Sequence, residues 1–148
     1  MREATGSSML LYLVVFFVGI IILFFAGIMT YSKAYKAKNR IIEVIEEYGD
    51  YNAKDSKGEK IVEKVVSSSL KNMGYQTGSC PKIDTKQIPN TSGYKYCITK
   101  IDAGDPKGGK YYKVTTYVHF DFPVIGNAIN IPVSGQTKII GQNYSNLN

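Results

Sequence analysis

The residues that could carry out chemistry are few. The chain of 148 residues has one histidine, two cysteines and no tryptophan. His119 and Asp121 stand two positions apart in an alternating stretch, so both side chains would share one face of a strand and could form a dyad. No motif places a serine or cysteine nucleophile beside them, and a lone histidine does not indicate a metal site. We interpret both as polar residues of an exposed sheet and expect a non-enzymatic protein without metal or other cofactor.

A glycine- and lysine-rich stretch, GDPKGGK at residues 104–110, has the spacing of a phosphate-binding loop. The next residue is Tyr111, where such a loop needs the hydroxyl of Ser or Thr to bind magnesium. A strand pattern also follows, whereas phosphate is held at the N-terminus of a helix. We therefore interpret the stretch as the turn of a β-hairpin.

The two cysteines, Cys80 and Cys97, enclose a loop with two prolines, one glycine and little apolar content. Such a loop has few other means of holding its shape, and a bridge of this span would stabilise the fold by roughly 3 kcal/mol. We predict a Cys80–Cys97 disulfide. Paired cysteines indicate an oxidising compartment.

Basic and aromatic residues are abundant, with a formal net charge of +6 and 12 tyrosines. Such a composition is typical of faces that contact nucleic acid or another polyanion. The lysines that could form this face lie on the predicted strands and the turn between them: Lys95, Lys100, Lys107, Lys110 and Lys113. No nucleic-acid-binding motif is present, and tyrosine suits any exposed sheet. We do not expect nucleic acid as the partner.

An apolar run of membrane length follows a short polar leader at residues 1–8. Residues 9–29 contain no charge, amide or proline, and as a helix they would rise about 31 Å, close to the thickness of the hydrocarbon layer. The run is longer than the apolar region of a cleaved signal peptide, although cleavage near Ser32 remains the alternative. We predict a single transmembrane helix with the lipid bilayer as its partner. Gly19 and Gly27 lie nearly on one face of it, where small residues let neighbouring helices approach; ordinary transmembrane composition explains them equally well.

The helix should continue as an amphipathic extension over residues 30–49, ended by Gly49. Its apolar stripe consists of Ala34, Ile41, Ile45 and Tyr48, widened by Tyr35 and Ile42. A second amphipathic helix is predicted over about 57–73, opened by a capping box of Ser56 and Glu59 and ended by Gly74. Its apolar side consists of Val62, Val65, Val66, Leu70 and Met73.

Alternation with period two begins after Tyr75 and is clearest over 111–122. Turn residues separate three such stretches, so we predict a three- to four-stranded antiparallel sheet with one face buried under the helices and one face polar. The fold class is α+β, with the α+β domain assigned to residues 50–148.

The charges that flank the apolar run do not settle the topology. Lys33, Lys36, Lys38 and Arg40 follow it directly, and the positive-inside rule would place this end in the cytoplasm. The cysteine pair favours the opposite side.

The whole pattern resembles the type IV pilin-like class, and most closely the TadE-like minor pilins of tight-adherence pilus systems. The residues that carry the resemblance are Gly6-Ser-Ser-Met-Leu-Leu before the apolar run, IIEVIEEYGDY after it, LKNMGY at the end of the second helix, and the closing YKVTTYVHFDFPVIGNAINIPVSGQTKII. The resemblance implies cleavage by a prepilin peptidase between Gly6 and Ser7, and a C-terminal domain outside the membrane. One residue departs from the pattern: Leu11 stands where pilins usually carry a glutamate that pairs with a neighbouring subunit.

We therefore expect a membrane-anchored pilin-like subunit of a surface appendage or secretion system, retained in the membrane or placed at a tip or base. Its partners would be other pilin-like or assembly subunits, or further copies of itself in an oligomer or filament. The alternative is a membrane-anchored binding module whose basic, tyrosine-rich face captures a polysaccharide, DNA or another polyanion.

Overall fold

Two helices and one antiparallel sheet form the part of the chain that the structure describes. The computed structural model describes residues 2–81, 86–104, 108–120 and 129–141. Its elements are α1 (Arg2–Tyr48), α2 (Ile61–Asn72), β1 (Gln87–Ile88), β2 (Tyr96–Asp102), β3 (Lys110–Phe120) and β4 (Ile129–Gln136). The strands lie side by side in chain order, and each pair is antiparallel. The predicted α+β architecture is confirmed, and the sheet has four strands.

The helix α1 is unbroken over 47 residues, which corresponds to a length of about 70 Å. Its first half is bare, because the large apolar side chains between Met9 and Met29 are 47–74% exposed. The helix is long and apolar enough to cross a membrane. The polar leader is part of the same helix, since α1 begins at Arg2.

The second half of α1 packs on the sheet through a stripe of small and branched side chains. The buried members are Ala34, Ala37, Ile41, Val44 and Ile45. Two predicted members are instead exposed, Tyr35 at 45% and Tyr48 at 38%. Tyr35 follows Ala34 and is therefore turned about 100° away from the stripe, and Tyr48 is the last helical residue. Alanines at the contact let the helix axis lie close to the strands.

The sheet alternates as its sequence predicts. The face under the helices carries the buried side chains Tyr96, Ile98, Tyr112, Val114, Thr116 and Val118. The opposite face, the outer face, carries Lys113, Thr115 and His119, but this predicted polar face also holds Cys97 and Tyr117, which are buried. Thr116 is the polar member of the buried face, and its hydroxyl donates to the carbonyl oxygen of Ala34 at 3.0 Å. The prediction extended β3 to residue 122, but 121 and 122 lie outside the described residues.

The helix α2 fully buries three of the five predicted side chains, Val62, Val66 and Leu70, and it partly buries Val65 and Met73. It ends in a Schellman motif, in which Gly74 has a φ of 60°. The Gly74 amide donates to the carbonyl of Lys71, and the Tyr75 amide donates to that of Leu70, both at 3.0 Å. The predicted stop at Gly74 is confirmed.

The predicted start of α2 is wrong. The helix begins at Ile61, and its N-cap, Lys60, makes no side-chain capping bond. The residues expected to form the capping box belong to a separate turn, in which the Asp55 carboxylate accepts the Lys57 amide and the Asp55 amide donates to the Glu59 carbonyl at 2.9 Å. The side chain of Glu59 pairs with Lys64 instead. An Asx turn therefore outcompetes the cap for the same short stretch.

The core joins the second half of α1 to α2 and the sheet, and it extends from Ala34 to the partly buried Ile140. The boundary predicted between residues 49 and 50 coincides with the end of α1, but the residues on its two sides belong to the same packed core. Experiments on this domain accordingly require the full chain.

Gly135 on β4 lies close against side chains of α1. A Cβ added there would lie 2.9 Å from both Ile42 Cδ1 and Lys38 Cδ. We expect Gly135→Val to lower the free energy of unfolding by about 1–3 kcal/mol through overpacking, and Gly135→Ala to cost less because the displaced atoms are ends of flexible side chains. Urea unfolding of the full chain in detergent micelles measures both.

The matched control is Ser134→Val, which adds apolar bulk at the neighbouring exposed position on the opposite face. Equal stabilities of the Gly135→Val and Ser134→Val variants would contradict the close contact.

Candidate functional site

The bare half of α1 is the largest uncovered surface among the described residues. Gly19 is exposed and Gly27 is partly exposed. A Cβ at Gly19 would meet no atom of the described chain within 4 Å. This face therefore has room for lipid or for a neighbouring helix. The predicted cleavage position, between Gly6 and Ser7, lies in the first turns of the same helix.

The lysines proposed as a polyanion face diverge in the structure, and Lys107 lies outside the described residues. Lys100 shares the face of its partner Tyr112, whereas Lys113 is exposed on the opposite face. Lys95 donates to the side-chain carbonyl of Asn130 at 2.8 Å, and Lys110 pairs with the Asp50 carboxylate. The four described lysines thus do not form a single basic face.

The structure describes one member of the candidate dyad, His119. His119 Nδ1 lies 3.0 Å from Asn130 Oδ1, so the imidazole donates to an amide carbonyl. Asp121 lies outside the described residues. Among the residues that the structure describes, no three His, Cys, Asp or Glu side chains gather as metal ligands.

The phosphate-loop-like stretch connects β2 and β3. In the strand register Asp102 of β2 lies opposite Lys110 of β3, and the Ala103 amide donates to the Gly109 carbonyl at 2.8 Å. Gly104 and Gly108 adopt positive φ values of 66° and 61°. The stretch is a hairpin connection, as predicted; residues 105–107 lie outside the described part.

The disulfide between Cys80 and Cys97 is present, with 5.3 Å between its Cα atoms. Cys97 is 4% exposed on the outer face of β2, and its sulfur lies 3.5 Å from the hydroxyl of Tyr117. The bridge closes 17 residues, for which loop closure predicts roughly 3 kcal/mol of stabilisation. It holds the segment after α2 against the outer face of the sheet.

A charged cluster joins the far end of α1 to the sheet. Asp50 follows the helix and accepts hydrogen bonds from the Tyr112 hydroxyl and the Asn52 amide, both at 2.8 Å, and it pairs with Lys110. Partial burial would raise the pKa of Asp50, but these donors outweigh it and lower the pKa below its usual value. The same contact raises the pKa of Lys110. The cluster fixes the angle at which the chain leaves α1.

Two further buried contacts could not be read from the sequence. Tyr51, in the short stretch between the two helices, is fully buried, and its hydroxyl lies 3.2 Å from that of Tyr96. Burial raises the pKa of both tyrosines. Glu63 on α2 is 6% exposed and accepts from the amide and hydroxyl of Thr91 at 2.6 and 2.7 Å. The one signal in the sequence for the burial of Tyr51 is that it is an aromatic residue in the short stretch between two helices.

These clusters all have partners within the chain, and they fix the sheet to the helices. Among the described side chains, no buried polar atom lacks a hydrogen-bond partner. The arrangement is therefore suited to a rigid domain on a helical rod. Among the described surfaces that it leaves open are the bare half of α1, the part of the outer face that carries Lys113, and a cleft where the two halves of α1 meet.

Comparisons with protein-family models, with curated proteins and with solved structures found no match to this chain.

The Asp50 cluster predicts acid sensitivity. Because the pKa of Asp50 is lowered by folding, its stabilisation is present above the unfolded pKa of about 3.9 and is lost as the pH falls through the folded value. We expect Asp50→Asn to lower the free energy of unfolding at neutral pH by about 1 kcal/mol, a modest figure because the pair is partly exposed. The difference between the variant and the parent should shrink as the pH falls below about 4 and should vanish below the folded pKa of Asp50.

Urea unfolding of the full chain across this pH range measures the effect. Asp55→Asn is the matched control, since Asp55 accepts only a local amide in the described structure. A difference between the Asp50→Asn variant and the parent that stays constant from neutral to acid pH would contradict the assignment.

Proposed function

We propose that this chain is a non-enzymatic, membrane-anchored pilin-like subunit of a surface appendage or secretion system. In this proposal the first half of α1 spans the cell membrane once, and the α+β domain lies on the extracytoplasmic side. The observation that supports it most is the unbroken α1, bare and apolar in one half and built into a protein core in the other.

The continuity of α1 favours an assembly role. A flexible linker would let an anchored domain move freely, as suits a module that captures a ligand. Here no glycine or proline interrupts the helix between Met29 and Tyr48, so any force or packing applied to the membrane segment is transmitted to the domain.

The disulfide supports the extracytoplasmic placement, because such bridges persist in oxidising compartments. The lysines after the apolar run oppose it under the positive-inside rule. We give the disulfide more weight, since a folded domain that follows the first helix can be translocated despite flanking charges.

The proposed lateral contact lies on the helix face with Gly19 and Gly27. Phe16 lies close to the same face, because it precedes Gly19 by three positions. Bulky side chains at the glycines would hold a neighbouring helix away. Residues 14 and 21 lie on the opposite face and provide a control.

The experiment uses a photo-crosslinking phenylalanine analogue in place of Phe16 in native membranes. We expect crosslinked adducts with pilin-like subunits or with further copies of the chain. Gly19→Ile with Gly27→Ile should reduce their yield about five- to thirtyfold, the effect of losing about 1–2 kcal/mol of helix association. Val14→Phe with Ile21→Phe, which adds bulk on the opposite face, should leave the yield unchanged.

Adducts with lipid alone, in the parent and in both double variants, would contradict the assembly role. Recovery of the chain in the soluble fraction would contradict the anchor itself. The two failures are distinguishable, because crosslinking to lipid requires insertion.

A further inference from the structure

A cleft with both polar and apolar lining lies where α1 passes from its bare half to its packed half. It encloses about 180 Å³ and is lined by Thr30, Lys33, Gly74, Tyr75, Gln76, Tyr117 and His119. These residues come from α1, from the segment after α2 and from β3. The cleft is therefore a product of the tertiary fold and not of one helix face.

The position of the cleft along α1 corresponds to the lipid headgroups. Lys33 lies four positions beyond Met29, the end of the apolar run, which is about 6 Å along the helix. The headgroup layer extends about 5–8 Å beyond the hydrocarbon on each side of a bilayer. With the apolar run in the hydrocarbon, the Lys33 ammonium is therefore at the level of the phosphates.

The sheet approaches the same level. Lys110 and Tyr112 contact Asp50 beyond the far end of α1, whereas Thr116 contacts Ala34. The strand β3 therefore runs back along α1 toward its bare half, and His119 lies about 10 Å further along the strand than Thr116. Exposed tyrosines at 31 and 35 mark this level on α1, as aromatic side chains do at membrane interfaces.

The described charges at this end are positive. Among the residues that the structure describes, none that lines the cleft is acidic. On α1 the next carboxylate is Glu43, about 15 Å beyond Lys33, and Glu63 lies near the opposite end of α2 from the cleft. Lys95 adds a further cation beside it, since Lys95 and His119 both contact the side-chain carbonyl of Asn130.

Several polar groups of the cleft already have partners. The Thr30 hydroxyl donates to the Ala26 carbonyl, the Gln76 amide donates to the Tyr117 carbonyl, and the Gly74 amide is used in the Schellman motif. Lys33 has no acidic neighbour in the cleft, so its ammonium is the main cationic group that a ligand would meet there.

We propose that this cleft binds the headgroup phosphate of an anionic phospholipid from the bilayer that holds α1. Lys33 supplies the charge, and Thr30, Tyr75 and Tyr117 shape the site. The bound lipid would couple the outer face of the sheet to the membrane surface and so fix how the domain is presented. This inference rests on the proposed membrane anchor.

The test measures binding of phosphatidylglycerol and phosphatidylcholine to the full chain in detergent micelles by native mass spectrometry. We expect preferential binding of phosphatidylglycerol, weakened about fivefold by Lys33→Gln, as expected for one lysine at an anionic surface. Lys36→Gln is the matched control, because Lys36 is an exposed lysine within one turn that does not line the cleft. It should change the affinity less than about twofold.

A second variant fills the space in the cleft without changing its charge. Thr30→Phe would place a ring in the cleft and keep every charge, so it should also abolish the preference for phosphatidylglycerol. Soluble glycerol phosphate in excess should not displace the lipid; displacement would assign the site to a free phosphate compound instead. Equal binding of the two lipids, or equal effects of Lys33→Gln and Lys36→Gln, would overturn the proposal.

The outcome is separable from that for the anchor. A chain that inserts into bilayers but shows no headgroup preference refutes this inference alone. A chain that does not insert refutes the proposed function.

Discussion

The helical hydrogen-bond ladder of α1 continues without a break from a bare apolar segment into the core of a folded domain, and the rest of the structure depends on that continuity. An apolar segment of this length has to be covered by something other than the described chain. If lipid covers the segment, its backbone N–H and C=O groups must be satisfied within the segment itself, and a helix does this. The same helix then offers Ala34, Ala37 and Ile41 to the sheet, so the element proposed as the membrane anchor is also the one on which the domain is built.

The domain is held to this rod at both ends. At one end the Thr116 hydroxyl meets the Ala34 carbonyl, and at the other Asp50 receives Tyr112 and Lys110. The disulfide secures the segment after α2 on the outer face, away from α1. The contacts of Thr116 and Asp50 resist rotation of the sheet about the helix. A subunit that must present one surface in a fixed direction needs this resistance, whereas a tethered capture module does not.

The features that sequence periodicity predicted are local ones. The strand alternation through Tyr112 and Val118, the apolar side of α2, the stops at Gly49 and Gly74 and the disulfide all follow from spacing within a few turns or from a pair of cysteines. The misjudged features depend on distant partners. Ser56 and Glu59 fit a capping box in isolation, but Asp55 uses the same stretch for a turn. Tyr51 is buried and contacts Tyr96, which is 45 positions away. No local sequence pattern predicts a contact over that distance. In the sequence the lysines suggest one basic face. In the structure they diverge, because the register of the hairpin places them on different faces and Asp50 pairs with one of them.

The most direct test of this account is the solvent accessibility of α1 in lipid nanodiscs, measured by electron paramagnetic resonance. Single spin-labelled cysteines are introduced in turn at Phe16, Phe24, Lys36 and Glu43, while the native cysteines stay in their disulfide. The account predicts that labels at 16 and 24 contact oxygen dissolved in lipid and are shielded from a water-soluble nickel complex, and that labels at 36 and 43 show the reverse, with the change near Thr30. Labels at 16 and 24 that contact the nickel complex would contradict it.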